Sequence, residues 1–319
     1  MRILITGCAG FIGSNTVDFF LDKGYEVLGI DNLNTGQEEF LNKAFLNQKF
    51  HFLKADLSLK DDYSHFFKGV DLVIHLAANA DVRDGLKRPT IDIKENLINT
   101  SNVLEIMRLH SVKKIIFSST GSVYGEALQI PTPEDCSFPV QTSLYGASKL
   151  AAEGIISAYC EGFDFKAISL RFVSLLGPRY THGHIFDFVS SLISNDKELQ
   201  ILGNGLQDKS YFHVSDCVRA IDHFATLLNQ NFSGFKPINL GTNESIKVTD
   251  SAKIICKTLG MKPKFIYTGG RQGWIGDNPI IKLDISSALG LGWEPKFTIK
   301  ESIIETTQWV HNYLLNKKV

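Results

Sequence analysis

The stretch ILITGCAGFIG, residues 3 to 13, decides the expected fold of this 319-residue chain. It begins as a short apolar strand and ends in Gly7, Gly10 and Gly13, which run into a helical segment. The first glycine permits a tight turn, the second lets backbone approach a pyrophosphate, and the third lets helix and strand pack closely. Free N–H groups at the helix start would face the phosphates. A tight turn without a ligand is the alternative, so the neighbouring sequence has to decide.

Further apolar runs follow this stretch, and helical segments such as SNTVDFFLDKG separate them. The runs are YEVLGID, FHFLKAD, DLVIHLA, KKIIFSS and FKAISLRF. This alternation predicts an α/β fold, a Rossmann-like doubly wound parallel sheet covered on both faces. The alternation ends after about residue 175, where we predict a smaller mixed α/β lobe. The predicted domains are residues 1–175, with a return at about 210–245, and residues 176–319.

Composition excludes several classes of protein. The formal net charge of -1 indicates neither a nucleic-acid partner nor an anionic membrane. No apolar run approaches the roughly 20 residues that span a bilayer, and the chain opens on a strand-like segment where a secretory signal would stand. Five scattered cysteines without a C-x-x-C pair indicate reduced thiols and a cytoplasmic location. No metal site is predicted.

Two carboxylates stand at predicted strand ends. Asp31 ends the second strand, where it can accept hydrogen bonds from an adenine-ribose diol and would repel a 2′-phosphate. This favours NAD over NADP, although a strand-end turn residue is an alternative explanation. Asp56 ends the third strand and precedes Leu57, which fits a contact with the adenine edge. The alternative for Asp56 is a helix N-cap.

The segment SLYGASKLAAEG places Tyr145 and Lys149 four residues apart, on one face of a helix. The pKa of a free tyrosine is about 10, so the phenol is a poor base near neutral pH. Lys149 and an oxidised nicotinamide could together stabilise the phenolate, which would take a proton from a carbinol. Ser118 and Thr120 follow the fifth strand, at the end where parallel sheets bind ligands. A solvated surface pair is the alternative for Tyr145 and Lys149.

Taken together, these stretches resemble the extended short-chain dehydrogenase/reductase family, and within it the NAD-dependent nucleotide-sugar epimerases and dehydratases. The matching segments run from TGCAGFIGS and HLAA through SSTGSVYGE and YGASK to LGWEP at 291–295. The resemblance implies an enzyme whose first domain binds NAD and whose second binds a nucleotide-diphosphate sugar. Such enzymes oxidise C4 of the sugar to a ketone and reduce it again from the other face.

The resemblance also implies roles for individual residues. Tyr145 would be the catalytic base and acid, Lys149 its electrostatic partner, and Thr120 the third catalytic hydroxyl. Asn96 is expected to support the active-site geometry. The residues expected along NAD, besides Tyr145 and Lys149, are Gly7, Gly10, Phe11, Ile12, Gly13, Asp31, Asn32, Asp56, Leu57, Ala77, Ala78, Asn96 and Ser118.

Two departures from the family pattern bear on the reaction and the substrate. The 4,6-dehydratases usually carry an acidic pair after the catalytic threonine, whereas Gly121 and Ser122 follow Thr120 here. Ser174 replaces an asparagine that holds the sugar diphosphate in many relatives, and Lys209 replaces an arginine, which loses the fork geometry. The favoured function is a 4-epimerase acting on a UDP-hexose. The alternatives are a nucleotide-sugar dehydratase or 4-dehydrogenase, and a non-catalytic NAD-binding relative.

Candidate substrate residues are Thr120, Ser122, Ser174, Arg179, Lys209 and Arg271. Arg271 is favoured for the diphosphate because bidentate guanidinium contacts suit phosphate oxygens, and a solvated surface arginine is the alternative. Trp274, in the same glycine-rich loop, is interpreted as a core residue. A homodimer through the helices around 95–110 and 145–160 is expected from the family resemblance.

Overall fold

The computed structural model describes residues 1–137, 140–230, 232–271, 273 and 280–317. The chain divides into two compact units, which we call unit 1 and unit 2. Unit 1 comprises Met1–Gly125, Ser143–Arg171 and Val218–Ile238. Unit 2 comprises Glu126–Thr142, Phe172–Cys217 and Asn239–Val319.

The strands are short, as expected for buried strands of an α/β protein. They are β1 (Arg2–Thr6), β2 (Glu26–Asp31), β3 (Phe50–Lys54), β4 (Leu72–His75), β5 (Lys114–Thr120), β6 (Lys166–Phe172), β7 (Ser174–Leu176), β8 (Glu198–Ile201), β9 (Asp208–Lys209), β10 (Tyr211–His213), β11 (Gly234–Leu240), β12 (Ile246–Lys247), β13 (Lys264–Tyr267) and β14 (Ile280–Ile281).

Helices separate most of these strands. They are α1 (Phe11–Asp22), α2 (Asn42–Phe45), α3 (Lys60–Tyr63), α4 (Asp84–Lys87), α5 (Asn99–Leu109), α6 (Leu144–Phe163), α7 (His184–Ser194), α8 (Val214–Leu228), α9 (Val248–Leu259), α10 (Ser286–Gly290) and α11 (Ile299–Asn316). A π-helical turn, Ile93–Ile98, leads directly into α5. None of the helices in the described ranges is long and apolar enough to cross a membrane.

The large sheet has the strand order β11-β6-β5-β4-β1-β2-β3. β1 pairs in parallel with β2 and β4, β2 with β3, and β4 with β5. The chain thus proceeds outward from β1 to β3 and then returns to the other side of β1. In open α/β sheets, ligands bind beyond the carboxyl ends of the strands at this reversal. The sheet confirms the predicted fold class and places the ends of β1, β2, β4 and β5 on the binding side.

The apolar runs become central strands because both faces of the sheet are covered. In β1, Ile3, Leu4 and Ile5 are fully buried. On one side of the sheet, Leu4 belongs to an apolar cluster that includes Met107 of α5 and Ile156 of α6. Burial of such side chains stabilises the fold by about 1.5–3 kcal/mol each, before the entropy cost of ordering them. This packing fixes α6 against β5.

Unit 2 contains small sheets of strand order β10-β7, β12-β9-β14 and β13-β8. α11 packs against α7 and α9, and its start has a capping box in which Thr298 and Glu301 satisfy each other's backbone N–H groups.

The segment Glu126–Thr142 clusters with unit 2, although it lies inside the predicted first domain. Asn239 explains this, because its N–H donates to Glu134 at 2.8 Å and its side-chain amide donates to the Thr132 carbonyl at 2.9 Å. These bonds join residues more than a hundred positions apart, so the local sequence pattern carries no sign of them.

Candidate active site

The turn after β1 lies tightly against the end of β4. Gly7 has a φ of 67°, and its N–H donates to the Ile30 carbonyl at 2.8 Å. A Cβ added to Gly7 would stand 2.7 Å from the Ala77 nitrogen, so a larger residue does not fit. Ala77, which is predicted to line the cofactor together with Ala78, therefore forms one wall of the turn.

The first turn of α1 follows directly. α1 begins at Phe11, and no side chain caps it at Gly10. A Cβ on Gly13 would clash with the Gly7 carbonyl oxygen, so glycine allows α1 to pack against the loop. The first N–H groups of a helix have no intrahelical acceptor. The turn that contains Phe11, Ile12 and Gly13 therefore suits a phosphate group.

Asp31 ends β2 with a carboxylate that backbone groups hold in place. Its oxygens accept hydrogen bonds from the N–H groups of Ala9, at 2.9 Å, and Leu33, at 2.8 Å. Burial raises the pKa of Asp31, and the two backbone donors oppose that rise. No cation of the described chain pairs with this carboxylate. Asp31 is thus a turn residue whose carboxylate has further lone pairs that can accept hydrogen bonds, and its predicted contact with the ribose stays a prediction.

The side chains of Asn32 and Asp56 are hydrogen-bonded to each other, and Asn32 directly follows Asp31. The side chain of Asn32 hydrogen-bonds the Asp56 carboxylate, whose Oδ1 also accepts from the Ser58 N–H at 2.8 Å. Burial opposes ionisation, but the bonds from Ser58 and Asn32 lower the pKa of Asp56. α3 begins only at Lys60, so Asp56 is not its N-cap. Leu57, which follows Asp56, is buried.

The carboxyl end of β5 brings the predicted catalytic groups together. The Ser118 hydroxyl donates to the His75 carbonyl of β4 at 3.1 Å, and the Ser118 carbonyl accepts from Lys149 Nζ at 2.8 Å. The Thr120 hydroxyl is hydrogen-bonded to the Tyr145 phenol. Thr120, Tyr145 and Lys149 therefore occupy one site, although they come from two separate segments of the chain.

Ser122 is coupled to this site through Thr120. It belongs to the short 3-10 turn Gly121–Tyr124 that follows β5. Its N–H donates to Thr120 Oγ1 at 3.1 Å, and the Thr120 hydroxyl donates to Ser122 Oγ at 3.3 Å. Ser122 is thus hydrogen-bonded to Thr120, and its predicted contact with the substrate stays a prediction.

The start of α6 sets the positions of Tyr145 and Lys149. The Ser143 hydroxyl caps the helix by accepting from the Gly146 N–H at 3.1 Å. Tyr145 is half-buried in the first turn, whereas Lys149, one turn later, is only 1% exposed. Lys149 Nζ also lies 4.7 Å from the centroid of the Phe117 ring. The alternative of a solvated surface pair is therefore wrong.

Burial dominates the electrostatics of Tyr145 and Lys149. Burial raises the pKa of Tyr145 to about 12, although the hydrogen bond from Thr120 lowers it. Burial also lowers the pKa of Lys149 to about 7, so the lysine is close to losing its charge near neutral pH. The prediction that Lys149 and an oxidised nicotinamide together stabilise the phenolate stays a prediction. A positive charge close to the phenol would favour its ionised form.

Comparison with known proteins identifies the family. The model of the NAD dependent epimerase/dehydratase family matches residues 3–241. The chain belongs to this family. The matched region contains the glycine turn, Asp31, Thr120, Tyr145 and Lys149, and the cofactor of the family is NAD. The predicted family, enzyme class and cofactor are confirmed.

Relatives extend the likeness to nearly the whole chain. A putative UDP-glucose 4-epimerase of Methanocaldococcus jannaschii is 35% identical over 317 residues, which cover 97% of this chain and 98% of the relative. The crystal structure of a UDP-galactose 4-epimerase has a TM-score of 0.88 at 34% identity and covers 98% of this chain and 100% of its own. A UDP-glucuronic acid 4-epimerase of Bacillus cereus, solved with UDP-glucuronic acid and NAD, has a TM-score of 0.88 at 28% identity, with coverages of 98% and 100%.

Asn96 is buried and hydrogen-bonded to α6, the helix that carries Tyr145 and Lys149. It has no exposed surface, so it offers no atom to NAD without a rearrangement. Its Oδ1 accepts from the Asn79 N–H at 2.8 Å, and its Nδ2 donates to Ser148 Oγ at 3.0 Å. Ser148 lies on α6 between Tyr145 and Lys149. Asn96 thus connects Asn79 to α6 by hydrogen bonds, and its predicted support of the active-site geometry stays a prediction.

A buried ion pair next to Lys149 went unnoticed in the sequence. Glu153 and Arg171 approach to 2.6 Å, and Arg171 also donates to the Tyr124 hydroxyl at 2.7 Å. This cluster ties α6 and β6 to the turn after β5. Glu153 stands four residues after Lys149, so helical spacing could have suggested it, but no local pattern indicates Arg171 as its partner.

Unit 2 carries the remaining residues predicted to hold the nucleotide sugar. Ser174 is exposed on β7, whereas Lys209 is buried on β9. Arg179 follows β7 with a positive φ of 71°. The three lie on different segments of the unit, so their common role stays a prediction.

Arg271 is exposed and already has an acidic neighbour. Its guanidinium donates to the Glu126 carboxylate at 3.0 Å, and both side chains are largely in solvent. The surface-arginine alternative therefore stays open beside the phosphate-binding prediction. Trp274, interpreted as a core residue, lies outside the described residues.

Proposed function

We propose that this chain is an NAD-dependent UDP-hexose 4-epimerase. One observation carries the proposal: the Tyr145 phenol is hydrogen-bonded to Thr120 in the same unit as the dinucleotide turn. Lys149 is buried one helical turn away. Relatives named as 4-epimerases of UDP-glucose, UDP-galactose and UDP-glucuronic acid, similar over nearly the whole chain, support the reaction and the choice of base.

We propose that unit 1 is the NAD-binding domain. The uncapped first turn of α1 suits the pyrophosphate, and the cation-free carboxylate of Asp31 suits the adenine-ribose diol. NAD would supply the hydride acceptor for oxidation of the sugar and the hydride donor for its reduction. The residues that would hold it are Gly7, Gly10, Phe11, Ile12, Gly13, Asp31, Asn32, Asp56, Leu57, Ala77, Ala78, Ser118 and Lys149.

Tyr145 would move the proton of the reaction. As a phenolate, it takes the proton of the sugar C4 hydroxyl while the C4–H bond breaks and the C4 carbonyl forms. In the reverse step the protonated Tyr145 gives the proton back to the oxygen. The Thr120 hydroxyl, already bonded to the phenol, can hold the same oxygen in place. Charge and protons therefore balance over one cycle, with no net redox change in the sugar.

Epimerisation requires the ketone to be reduced from its other face. Because the base and the hydride acceptor are fixed, the 4-keto sugar itself has to turn over before reduction. Loss of water would in addition need a group to remove the C5 proton and an acid for the leaving hydroxyl. Gly121 and Ser122 follow Thr120, so the position that bears an acidic pair in the 4,6-dehydratases bears none here. This supports epimerisation over dehydration.

We further propose that unit 2 binds the nucleotide diphosphate. Ser174, Arg179, Lys209 and Arg271 supply one hydroxyl and three cations for that task. Arg271 would exchange its exposed Glu126 partner for phosphate oxygens, since an exposed ion pair contributes only about 0–1 kcal/mol. Bidentate contacts would then orient the diphosphate.

A homodimer in the cytoplasm completes the proposal. Ile98 and Leu109, at the two ends of the α5 segment, are 48% and 62% exposed, and Phe163 at the end of α6 is 42% exposed. Large apolar side chains of this kind on two helices of one unit fit a helix-to-helix interface. The five cysteines are free thiols, which agrees with a reducing compartment.

The experiment is a product analysis on purified protein. UDP-glucose, UDP-galactose and UDP-glucuronic acid are each incubated with the NAD-loaded protein and followed by NMR and mass spectrometry. We expect either that UDP-glucose and UDP-galactose convert into each other or that UDP-glucuronic acid converts to its C4 epimer, in both cases at unchanged mass. A product lighter by one water, or a persistent 4-ketone with stoichiometric reduced cofactor, would overturn the proposal in favour of a dehydratase or a dehydrogenase.

A further inference from the structure

Asp92 is a buried carboxyl group that the proposed reaction does not use. It directly precedes the π-helical turn Ile93–Ile98, and its side chain has no exposed surface. Oδ1 accepts hydrogen bonds from the side-chain amides of Asn79, at 2.9 Å, and Asn96, at 3.3 Å. A buried carboxylate costs free energy unless it is fully hydrogen-bonded or paired with a cation.

The second oxygen of this carboxyl group lacks such partners. Within the described chain, Asp92 Oδ2 is buried without a hydrogen bond, and no lysine or arginine forms an ion pair with it. A Cβ added to Gly85 would stand 2.6 Å from Oδ2 and 3.4 Å from the Leu144 Cβ. Oδ2 therefore lies between α4 and the first residue of α6. An unsatisfied buried oxygen destabilises the fold, so packing alone does not account for Asp92.

A continuous chain of hydrogen bonds joins Asp92 to the catalytic helix. Asn96 Nδ2 donates both to Asp92 Oδ1 and to Ser148 Oγ, the latter at 3.0 Å. The Ser148 hydroxyl in turn donates to the Tyr145 carbonyl at 2.8 Å. Each of the two N–H groups of the Asn96 amide thus has one acceptor, Asp92 on one side and Ser148 on the other. The orientation of the first turn of α6 therefore depends on Asp92.

Charge links Asp92 to the same pair of residues. Burial moves the pKa of Tyr145 up and that of Lys149 down, whereas the Asp92 carboxylate raises both. Glu153 raises the pKa of Lys149 as well, but Arg171 neutralises Glu153 at a distance of 2.6 Å. Among the described residues, no arginine neutralises Asp92 in this way, and Lys149 is the cation that acts on it.

Two more ionisable groups face this cluster. Burial raises the pKa of Asp92, the neighbouring Asp84 raises it further, and Lys149 lowers it. His75 lies fully buried near Lys149, and burial lowers its pKa to about 3, so it carries no charge at neutral pH. Asp92 and Lys149 therefore influence each other's ionisation directly.

We propose that Asp92 is a positioning residue for the Tyr145–Lys149 pair: it orients the start of α6 through the hydrogen bonds of Asn96 and Ser148. The negative charge of its carboxylate acts on both members of the pair as well. This inference rests on the proposed function of Tyr145 as the base. Removal of the negative charge at residue 92 should lower the pKa of Tyr145 and that of Lys149. Both partners lose their protons more readily, so the rising and falling limbs of the activity profile move to lower pH.

The test compares the parent protein with Asp92→Asn, which keeps the size of the side chain and one acceptor oxygen. Phenolate formation is followed by ultraviolet absorbance in the NAD-loaded proteins, with Tyr145→Phe subtracted as background, and kcat is measured across the same pH range. We expect both the phenolate midpoint and the kcat profile to move about one pH unit lower. KM for the sugar nucleotide should change less than about twofold, because Asp92 has no surface for the substrate.

Glu95→Gln is the matched control. It removes a carboxylate three residues away that contacts Lys94 and Asn99 and not the catalytic pair. Its phenolate midpoint should coincide with that of the parent. Superimposable titrations of Asp92→Asn and the parent would overturn the proposal. If no sugar nucleotide turns over, the function proposal fails, but the phenolate titration still decides the role of Asp92.

A second pair of variants covers the case in which Asp92→Asn does not fold. Asn79→Ala removes a hydrogen bond that stabilises the carboxylate form of Asp92, so the phenolate midpoint should move in the same direction by a smaller amount. Ser148→Ala breaks the connection to Tyr145 and leaves every charge in place. It should lower kcat by about tenfold at an unchanged midpoint. An unmoved midpoint in Asn79→Ala would contradict the proposal.

Discussion

At the scale of single residues, the environment of Tyr145 sets its chemistry. The four-residue spacing to Lys149 is visible in the sequence, and so is the helix that puts both on one face. The pKa of the phenol is not, because it depends on how far β5 and α6 bury the side chain. The protein alone raises that pKa to about 12. In the proposed mechanism, binding of the oxidised cofactor would therefore help to make Tyr145 a base.

We expect Tyr145→Phe to abolish turnover, with a fall in kcat of about 100-fold to 10,000-fold, because the proton of the C4 hydroxyl has no acceptor. NAD binding should persist, because the glycine turn and Asp31 are untouched. Steady-state kinetics and a cofactor-binding titration measure the two effects. Tyr159→Phe, on the same helix, is the control and should retain activity. A Tyr145→Phe protein with near-parental kcat would remove the phenol from the mechanism.

The carboxylate of Asp31 gives a second prediction. Asp31→Asn keeps one acceptor oxygen and removes the charge, so NAD should bind about tenfold more weakly and the preference over NADP should fall. Binding of both cofactors is measured by titration calorimetry. Asp22→Asn, which alters an exposed pair with Lys43, should leave both affinities alone. An unchanged ratio of NAD to NADP affinity in Asp31→Asn would rule out the ribose role.

At the scale of the elements, the parallel strands are the most predictable part of the molecule. Each apolar run up to residue 172 became a strand of the large sheet, because strands buried on both faces have no alternation to obscure them. Two-residue strands such as Asp208–Lys209 and Ile246–Lys247 could not be predicted. Their partners define them, and those partners lie far away in the sequence.

The site residues were predictable to the same extent. Those at the ends of strands could be predicted from the sequence, and those held by distant partners could not. The ends of β1, β2 and β5 could be read from the order of runs and loops, and they carry the glycine turn, Asp31 and Thr120. The buried cluster of Asp92, Asn79 and Asn96 could not, because polar residues between helices look like solvated surface in the sequence. Tertiary packing alone reveals that they are enclosed.

Two glycines in helices provide a matched test of the turn after β1. Gly13→Ala should weaken NAD binding and destabilise the protein, because its Cβ would clash with the Gly7 carbonyl. Gly154→Ala, on the exposed face of α6 with nothing within 4 Å of the added Cβ, should stabilise the protein by about 0.5–1 kcal/mol. Thermal unfolding and NAD titration compare the two. Equal behaviour of both variants would show that close packing at Gly13 is unimportant.

At the scale of the whole molecule, the expected assembly is a dimer of the 35.5 kDa chain. Light scattering on the purified protein should give twice that mass. Leu109→Asp places a charge on the exposed apolar end of α5 and should yield a folded monomer, because a buried unpaired charge opposes the interface. Leu46→Asp, at an even more exposed position after α2, should remain dimeric. A parent protein of monomer mass would contradict the proposed interface.

In the proposed reaction, C4 of the sugar is oxidised and then reduced with its own hydrogen. This is tested with UDP-glucose labelled with deuterium at C4, converted by the NAD-loaded protein in ordinary water and analysed by NMR. We expect a C4-epimeric product that keeps the deuterium at C4, because the hydride stays within one active site throughout the cycle. Replacement of that deuterium by solvent hydrogen would contradict it.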